Sequence, residues 1–221
     1  RSRKDRIFFT LFNYFFAILI SLSLTNDLFN LYVSLELLSL ISILLIGYQR
    51  KGYQIWAGIK YLSISSIAMS MYLLGMMMIY RMGGSLNIDQ LEVSLRGDPV
   101  RIKVAASLLL VGLATKGGVF VFSMWLPDAH AYSNSEVSAM LSGLAINGGA
   151  LGMIKISSIL NLDLALIVLG SLTGIIGGLY AIFEERPKKI LAYSTLSQMG
   201  YILIGLGLGT FYGLLGATLH L

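Results

Sequence analysis

Long apolar runs separated by short polar connections make up almost the whole chain, and each run has the length of a helix that crosses a bilayer. The first covers about Ile7 to Leu24 and carries no charge. A turn, Thr25 to Asp27, leads into Leu28 to Ile46, which holds Glu36 near its middle. After Gln49, Arg50 and Lys51, a third run spans about Tyr61 to Tyr80, with Trp56 and Lys60 at its entry. The longest polar stretch follows, Arg81 to Lys103, which reads as an extramembrane loop with a short surface helix. The fourth run, Val104 to Trp125, contains Lys116, and the fifth, Val137 to about Leu160, contains Asn147. A sixth, Leu164 to Phe183, is rich in glycine, including Gly170, Gly174, Gly177 and Gly178, which favours close helix contact in lipid. The charged turn Glu184 to Lys189 precedes a seventh, Ile190 to Gly209, and an eighth begins near Phe211.

The pattern predicts an all-α, polytopic transmembrane bundle with about seven full spans and the start of an eighth. A broken helix is expected near Lys116, because Gly117 and Gly118 weaken a helix and Trp125, Leu126, Pro127 and Asp128 end one at a membrane surface. Composition supports the same class: 56% of residues are hydrophobic, 12% are charged and the mean hydropathy is +0.79, too apolar for an ordinary soluble domain. The chain starts RSRKDR and stops about ten residues into its last run, so residues 1–221 read as a single transmembrane domain from a longer subunit.

A net charge of +5 raises nucleic acid as a partner, but the basic residues sit mostly between the apolar runs, where they report topology. The side holding the N-terminus carries nine of them: Arg1, Arg3, Lys4, Arg6, Arg50, Lys51, Arg186, Lys188 and Lys189. The opposite loop holds four, Arg81, Arg96, Arg101 and Lys103. The N-terminal side is therefore expected to face the cytoplasm. With no cysteine and with His130 and His220 far apart, neither a thiolate metal site nor a cofactor site is expected in this chain. No nucleophile and base motif or phosphate loop appears either.

Three residues stand out as candidates for chemistry, together with two polar stripes. Charged side chains at mid-membrane cost roughly 2.5 to 3.5 kcal/mol each on insertion scales, so Glu36 and Lys116 are retained for a use. Tyr32, Glu36 and Ser39 fall on one helical stripe, a phenol, a carboxyl and a hydroxyl able to share protons. A structural salt bridge remains the plainer reading of Glu36, and a lysine reaching the nearer interface the plainer reading of Lys116. Asn147, before Gly148 and Gly149, suits either an interhelical hydrogen bond or a water-lined pocket. Ser194, Gln198 and Tyr201 make a further polar stripe on the seventh run, equally suited to helix adhesion.

Several segments resemble one family. GGVFVFSMWLPDAHA after Lys116, VSAMLSGL from Val137, RPKKILAYSTLSQMGYILIGLGLG from Arg186, DLFNLYVSLELLSL from Asp27 and the closing GATLHL are similar to the antiporter-like membrane subunits of respiratory complex I. The segment around Glu36 leans towards Mrp-type sodium/proton antiporters and membrane-bound hydrogenases. The resemblance implies a complete subunit of about fourteen helices built from inverted repeats, each with a broken helix. It also implies other membrane subunits as partners, H⁺ and possibly Na⁺ as the transported ion, and the cell membrane of a prokaryote as location. Glu36 matches the family's buried glutamate, Lys116 the lysine of its first broken helix, and His220 the first histidine of a later helix. Two departures matter: Gly118 and Val121 stand where prolines are common, and SNSE from Ser133 replaces a proline-rich turn. A third is Asn147, which falls where many members carry a lysine or histidine and which holds no proton at physiological pH. The family's proposed proton line is therefore either carried by water at Asn147 or interrupted there, which would leave a mainly structural subunit.

Overall fold

The computed structural model describes residues 3–95, 98–160 and 162–221. Arg1 and Arg96, both used above to orient the chain, lie outside the described residues, as do the side chains of Arg3 and Lys4. Eleven α-helices and no strand are found among the described residues. Helices α1 (Arg3–Leu24), α2 (Leu28–Ile46) and α3 (Gly52–Gly83) run in alternating directions, and α4 (Ile88–Ser94) lies in the polar loop. Next come α5 (Pro99–Lys116), the short α6 (Leu126–Tyr132), then α7 (Ser135–Met140) and α8 (Ile146–Leu160), and finally α9 (Asp163–Phe183), α10 (Pro187–Gly207) and α11 (Phe211–His220).

Six of these segments are long and apolar enough to cross a membrane. That is one fewer than the seven full spans expected, because the fourth run is divided: its helix stops at Lys116, and residues 117–125 form no regular element. The third run also begins earlier than hydropathy indicates. Helix α3 has 32 residues and takes in Trp56 and Lys60, which read as flanking residues in the sequence.

Local chemistry fixes the helix ends. Asp27 caps α2 by accepting from the amides of Phe29 and Asn30, and Asp98 caps α5 by accepting from Val100. Pro99 and Pro187 open α5 and α10, positions where the missing N–H is no loss. On the side away from the N-terminus, the α1–α2 turn pairs with the segment before α4: Leu28 N donates to Leu86 O at 2.9 Å and Ile88 N to Asn26 O at 3.0 Å. Lys155 of α8 closes this assembly by donating to the carbonyls of Ser23 and Thr25 at 3.0 and 2.6 Å, a cation set against the C-terminal end of α1.

Close backbone contact joins the longer helices. A Cβ on Gly200 of α10 would collide with the backbone of Gly170 and Gly174 on α9, and one on Gly112 of α5 would lie 2.7 Å from Cβ of Tyr72 on α3. This is the small-residue packing expected where lipid removes the hydrophobic drive between helices.

Candidate functional site

The site is built where α5 ends. Two left-handed residues, Gly118 at φ 65° and Val121 at φ 77°, turn the chain out of the helix. Val119 N still reaches Ala114 O at 2.9 Å, one residue wider than an α-helical bond. The backbone groups released by the break find specific partners. Indole Nε1 of Trp125 donates to Thr115 O at 3.1 Å, and Phe120 N donates to the Thr173 hydroxyl of α9 at 3.1 Å. Burial in lipid demands such partners, because an unpaired backbone group there costs several kcal/mol. Gly149 of α8 packs directly on the broken segment, where a Cβ would overlap the backbone of Lys116 and Gly117. Gly149→Ala is therefore expected to lower stability by roughly 1–3 kcal/mol, read as a drop in the thermal unfolding midpoint of the purified complex; an unchanged midpoint would count against this contact.

The break leaves Lys116 at the end of a helix with its side chain only 2% exposed. Its ammonium has three protons and three oxygen acceptors: Glu36 Oε1 at 3.0 Å, Ser39 Oγ at 2.5 Å and Ser65 Oγ at 2.5 Å. Glu36 and Ser39 come from α2 and Ser65 from α3, so three helices converge on one nitrogen. Ser39 also accepts from the hydroxyl of Tyr61 at 3.1 Å while donating to Leu35 O. Glu36 is 26% exposed on its side chain, which keeps one edge of the site open to its surroundings. Tyr32 stands a turn before Glu36, where its ring stacks with that of Tyr72 at 6.0 Å.

Above the ammonium, the rings of Tyr61 and Trp125 stack with centroids 3.9 Å apart and planes at 13°. Lys60, next in sequence to Tyr61, pairs with Asp128 at 2.6 Å, and Lys189 approaches the same carboxylate at 3.8 Å. His130 on α6, outside the six long apolar segments, is fully buried and bonds to the Ser138 hydroxyl at 2.8 Å. Burial, with a smaller contribution from the charge of Lys188, pushes its pKa down to about 4, so the ring is neutral at physiological pH.

A second polar group lies on the far side of α8. Asn147 precedes Gly149 by two residues, about 200° around a helix, and so faces away from the break. Its amide nitrogen donates to Gly143 O and to Leu221 O, each at 3.0 Å. Gly143 belongs to a π-helical turn, Leu141–Ala145, joining α7 to α8. His220 Nε2 donates to Gln198 Oε1 at 2.6 Å and meets the Tyr201 ring edge-on at 6.1 Å. Ser194 is half-buried on α10, and the neighbouring Thr195 bonds to Ser142 at 2.6 Å. Among the described residues, no direct hydrogen bond joins this group to the Lys116 group.

Ser65 and Tyr61 were not singled out from the sequence. Their spacing of four on α3 is a usable signal, since two hydroxyls then share one face of an otherwise apolar helix. Trp125 and Thr173 carry no such signal, because their partners are backbone groups freed by a break some distance away in sequence.

These features define an integral membrane helix bundle with an interrupted helix that presents a buried ammonium to a carboxylate. Residues 25–221 match the family described as NADH:quinone oxidoreductase/Mrp antiporter, transmembrane, and the chain belongs to that family. The antiporter subunit mnhD2 of Staphylococcus aureus strain MRSA252 is 33% identical over 206 residues, 90% of this chain and 41% of the relative. The chain thus spans less than half the length of the curated relatives it matches. Among solved structures, an archaeal membrane-bound sulfane sulfur reductase superposes with a TM-score of 0.89 at 28% identity, covering 95% of this chain and 45% of the other. The Mrp complex of Dietzia sp. DQ12-45-1b gives 0.87 at 31%, covering 95% and 41%. Respiratory complex I of Thermus thermophilus gives 0.80 at 28%, covering 89% and 44%.

Proposed function

We propose that this chain is the ion-conducting part of an antiporter-like subunit in a multi-subunit membrane complex, and that it moves protons, alone or in exchange for Na⁺, by loading and unloading Lys116. The observation that supports this reading best is the coordination of Lys116: three oxygens meet its three N–H groups, one from the carboxylate Glu36. A buried lysine titrates readily when its surroundings change. With Glu36 anionic and close, the protonated amine is favoured; once the carboxylate is neutralised or drawn away, the proton is released. Neither residue carries out redox chemistry, so energy for transport comes from partner subunits or from an ion gradient. The N-terminal side, with Lys51, Lys188 and Lys189, faces the cytoplasm in this reading.

Onward transfer runs to Asn147 and His220 through water, since Asn147 cannot hold charge. One observation favours a second reading, a structural subunit without conduction: among the described residues, no direct hydrogen bond joins Asn147, His220 and Gln198 to the Lys116 group.

Glu36→Gln in the complete complex tests the pair. The amide keeps the size and removes the charge, and transport in proteoliposomes is expected to fall by about tenfold or more, equivalent to 1.4 kcal/mol on a barrier. Normal transport by an assembled Glu36→Gln complex rules out charge coupling at this position.

A further inference from the structure

The phenol of Tyr61 has a place in the site that adhesion does not explain. It is 3% exposed, its hydroxyl donates to Ser39 Oγ, and that same oxygen accepts from Lys116. Tyr61 lies one turn before Ser65 on α3, and therefore one turn nearer the N-terminal side than the ammonium. Just beyond it are Lys60 and Asp128, with side chains 29% and 22% exposed. The partly exposed ion pair and the buried ammonium are thus separated by the stacked rings of Tyr61 and Trp125, the latter fully buried. Among the described hydrogen bonds, the Tyr61 hydroxyl supplies the link to the Lys116 oxygens on this side.

Two contacts hold the phenol in place. Trp125 and Asp128 are three residues apart at the start of α6, neighbours on one helical face. They grip the consecutive residues Tyr61 and Lys60 of α3, one by stacking and one by the 2.6 Å ion pair. Trp125 is itself anchored to Thr115 O, one residue from Lys116. The grip therefore ties the phenol to the break that sets the lysine.

We propose that Tyr61 is the proton relay through which Lys116 is loaded from the N-terminal side, with Trp125 as its positioning residue; this rests on the reading of Lys116 as the loaded group. When the amine of Lys116 is neutral, the Ser39 hydroxyl turns from Leu35 O to donate to it; the amine takes that proton, Ser39 Oγ takes the phenolic proton, and the phenol oxygen takes one from a hydronium ion entering beside Asp128. One N–H and two O–H bonds form, three O–H bonds break, and the net result is one proton moved onto the amine. A hydroxyl performs this step because it donates and accepts at the same atom.

The test uses the complete complex in proteoliposomes, with Tyr61→Phe and with 3-fluorotyrosine incorporated at position 61. Phenylalanine keeps the ring stack and removes the relay, so proton transport falls by about tenfold or more while assembly is retained. Fluorotyrosine keeps the hydroxyl and makes it more acidic, so the transport rate and its solvent deuterium isotope effect change, a response that packing alone does not produce. Wild-type transport by Tyr61→Phe overturns the relay. So does a loss in Tyr61→Phe combined with wild-type rate and isotope effect in the fluorotyrosine protein, which assigns the residue to packing. Lys116→Ala measured beside them separates the two claims: if that variant transports normally, the lysine reading fails first, and if it is inactive while Tyr61→Phe is normal, only the relay fails.

Discussion

Lys116→Ala is expected to abolish transport, lowering the rate by two orders of magnitude or more, the equivalent of roughly 3 kcal/mol in the barrier. The reason is the convergence of Glu36, Ser39 and Ser65 on one nitrogen. Alanine removes the amine that the proposed function loads and unloads, and the neighbouring Lys60 is committed to Asp128. Stability should also fall. Removing one partner of a buried pair costs about 3–5 kcal/mol, and the 26% exposure of the Glu36 side chain places this case below that range, because the carboxylate left behind is only partly enclosed. The double variant Lys116→Ala, Glu36→Gln distinguishes the two effects. It should recover most of the lost thermal stability and none of the transport. Transport at the wild-type rate by a correctly assembled Lys116→Ala complex would refute the proposed function.

The second large effect is expected at Asn147. Leucine has a similar volume but offers no hydrogen bond, so Asn147→Leu withdraws the donor that reaches Gly143 O. For stability the change is modest, about 1 kcal/mol, the usual net worth of such bonds. For a proton crossing beside Asn147 the change is severe, because ordered water needs polar partners to stay in place. A conducting subunit should therefore lose most of its transport while its melting point shifts by only a few degrees. A scaffold shows the small stability change alone. Asn147→Lys gives the converse: a conducting line tolerates a titratable group there and acquires a new pH dependence. If Asn147→Leu transports normally in a complex inactivated by Lys116→Ala, protons do not pass this residue.

Much of the fold was legible because lipid imposes simple rules. Uncharged runs of about twenty residues become helices, and glycine-rich stretches such as Gly170 to Gly178 become close contacts. Glu36 and Lys116 were conspicuous for the same reason, as ionisable groups in apolar surroundings. Ser39 was reachable through its spacing from Glu36. Ser65 was not, because a serine in a membrane helix usually satisfies itself on its own backbone, and only the three-dimensional approach of α3 to α5 turns it towards Lys116. The division of the fourth run was foreseen from Gly117 and Gly118. What repairs it was not, since Trp125 and Thr173 act on carbonyl and amide groups whose exposure depends on the break itself. The π-helical turn at Leu141–Ala145 left no trace either: one extra residue per turn does not alter hydropathy in a segment that is apolar all round.

Helix α3, at 32 residues, is about 48 Å long, well beyond a hydrocarbon layer of about 30 Å. Such a helix leans over, projects from the membrane, or thickens the lipid around it. Gly75 lies against the Ala105 carbonyl and Gly112 against Tyr72, so α3 is fastened to α5 in its second half, while Lys60 and Tyr61 fasten its first half to Asp128 and Trp125. The excess length of α3 is thereby carried by a helix braced on both sides of the break, by α5 before it and by α6 after it.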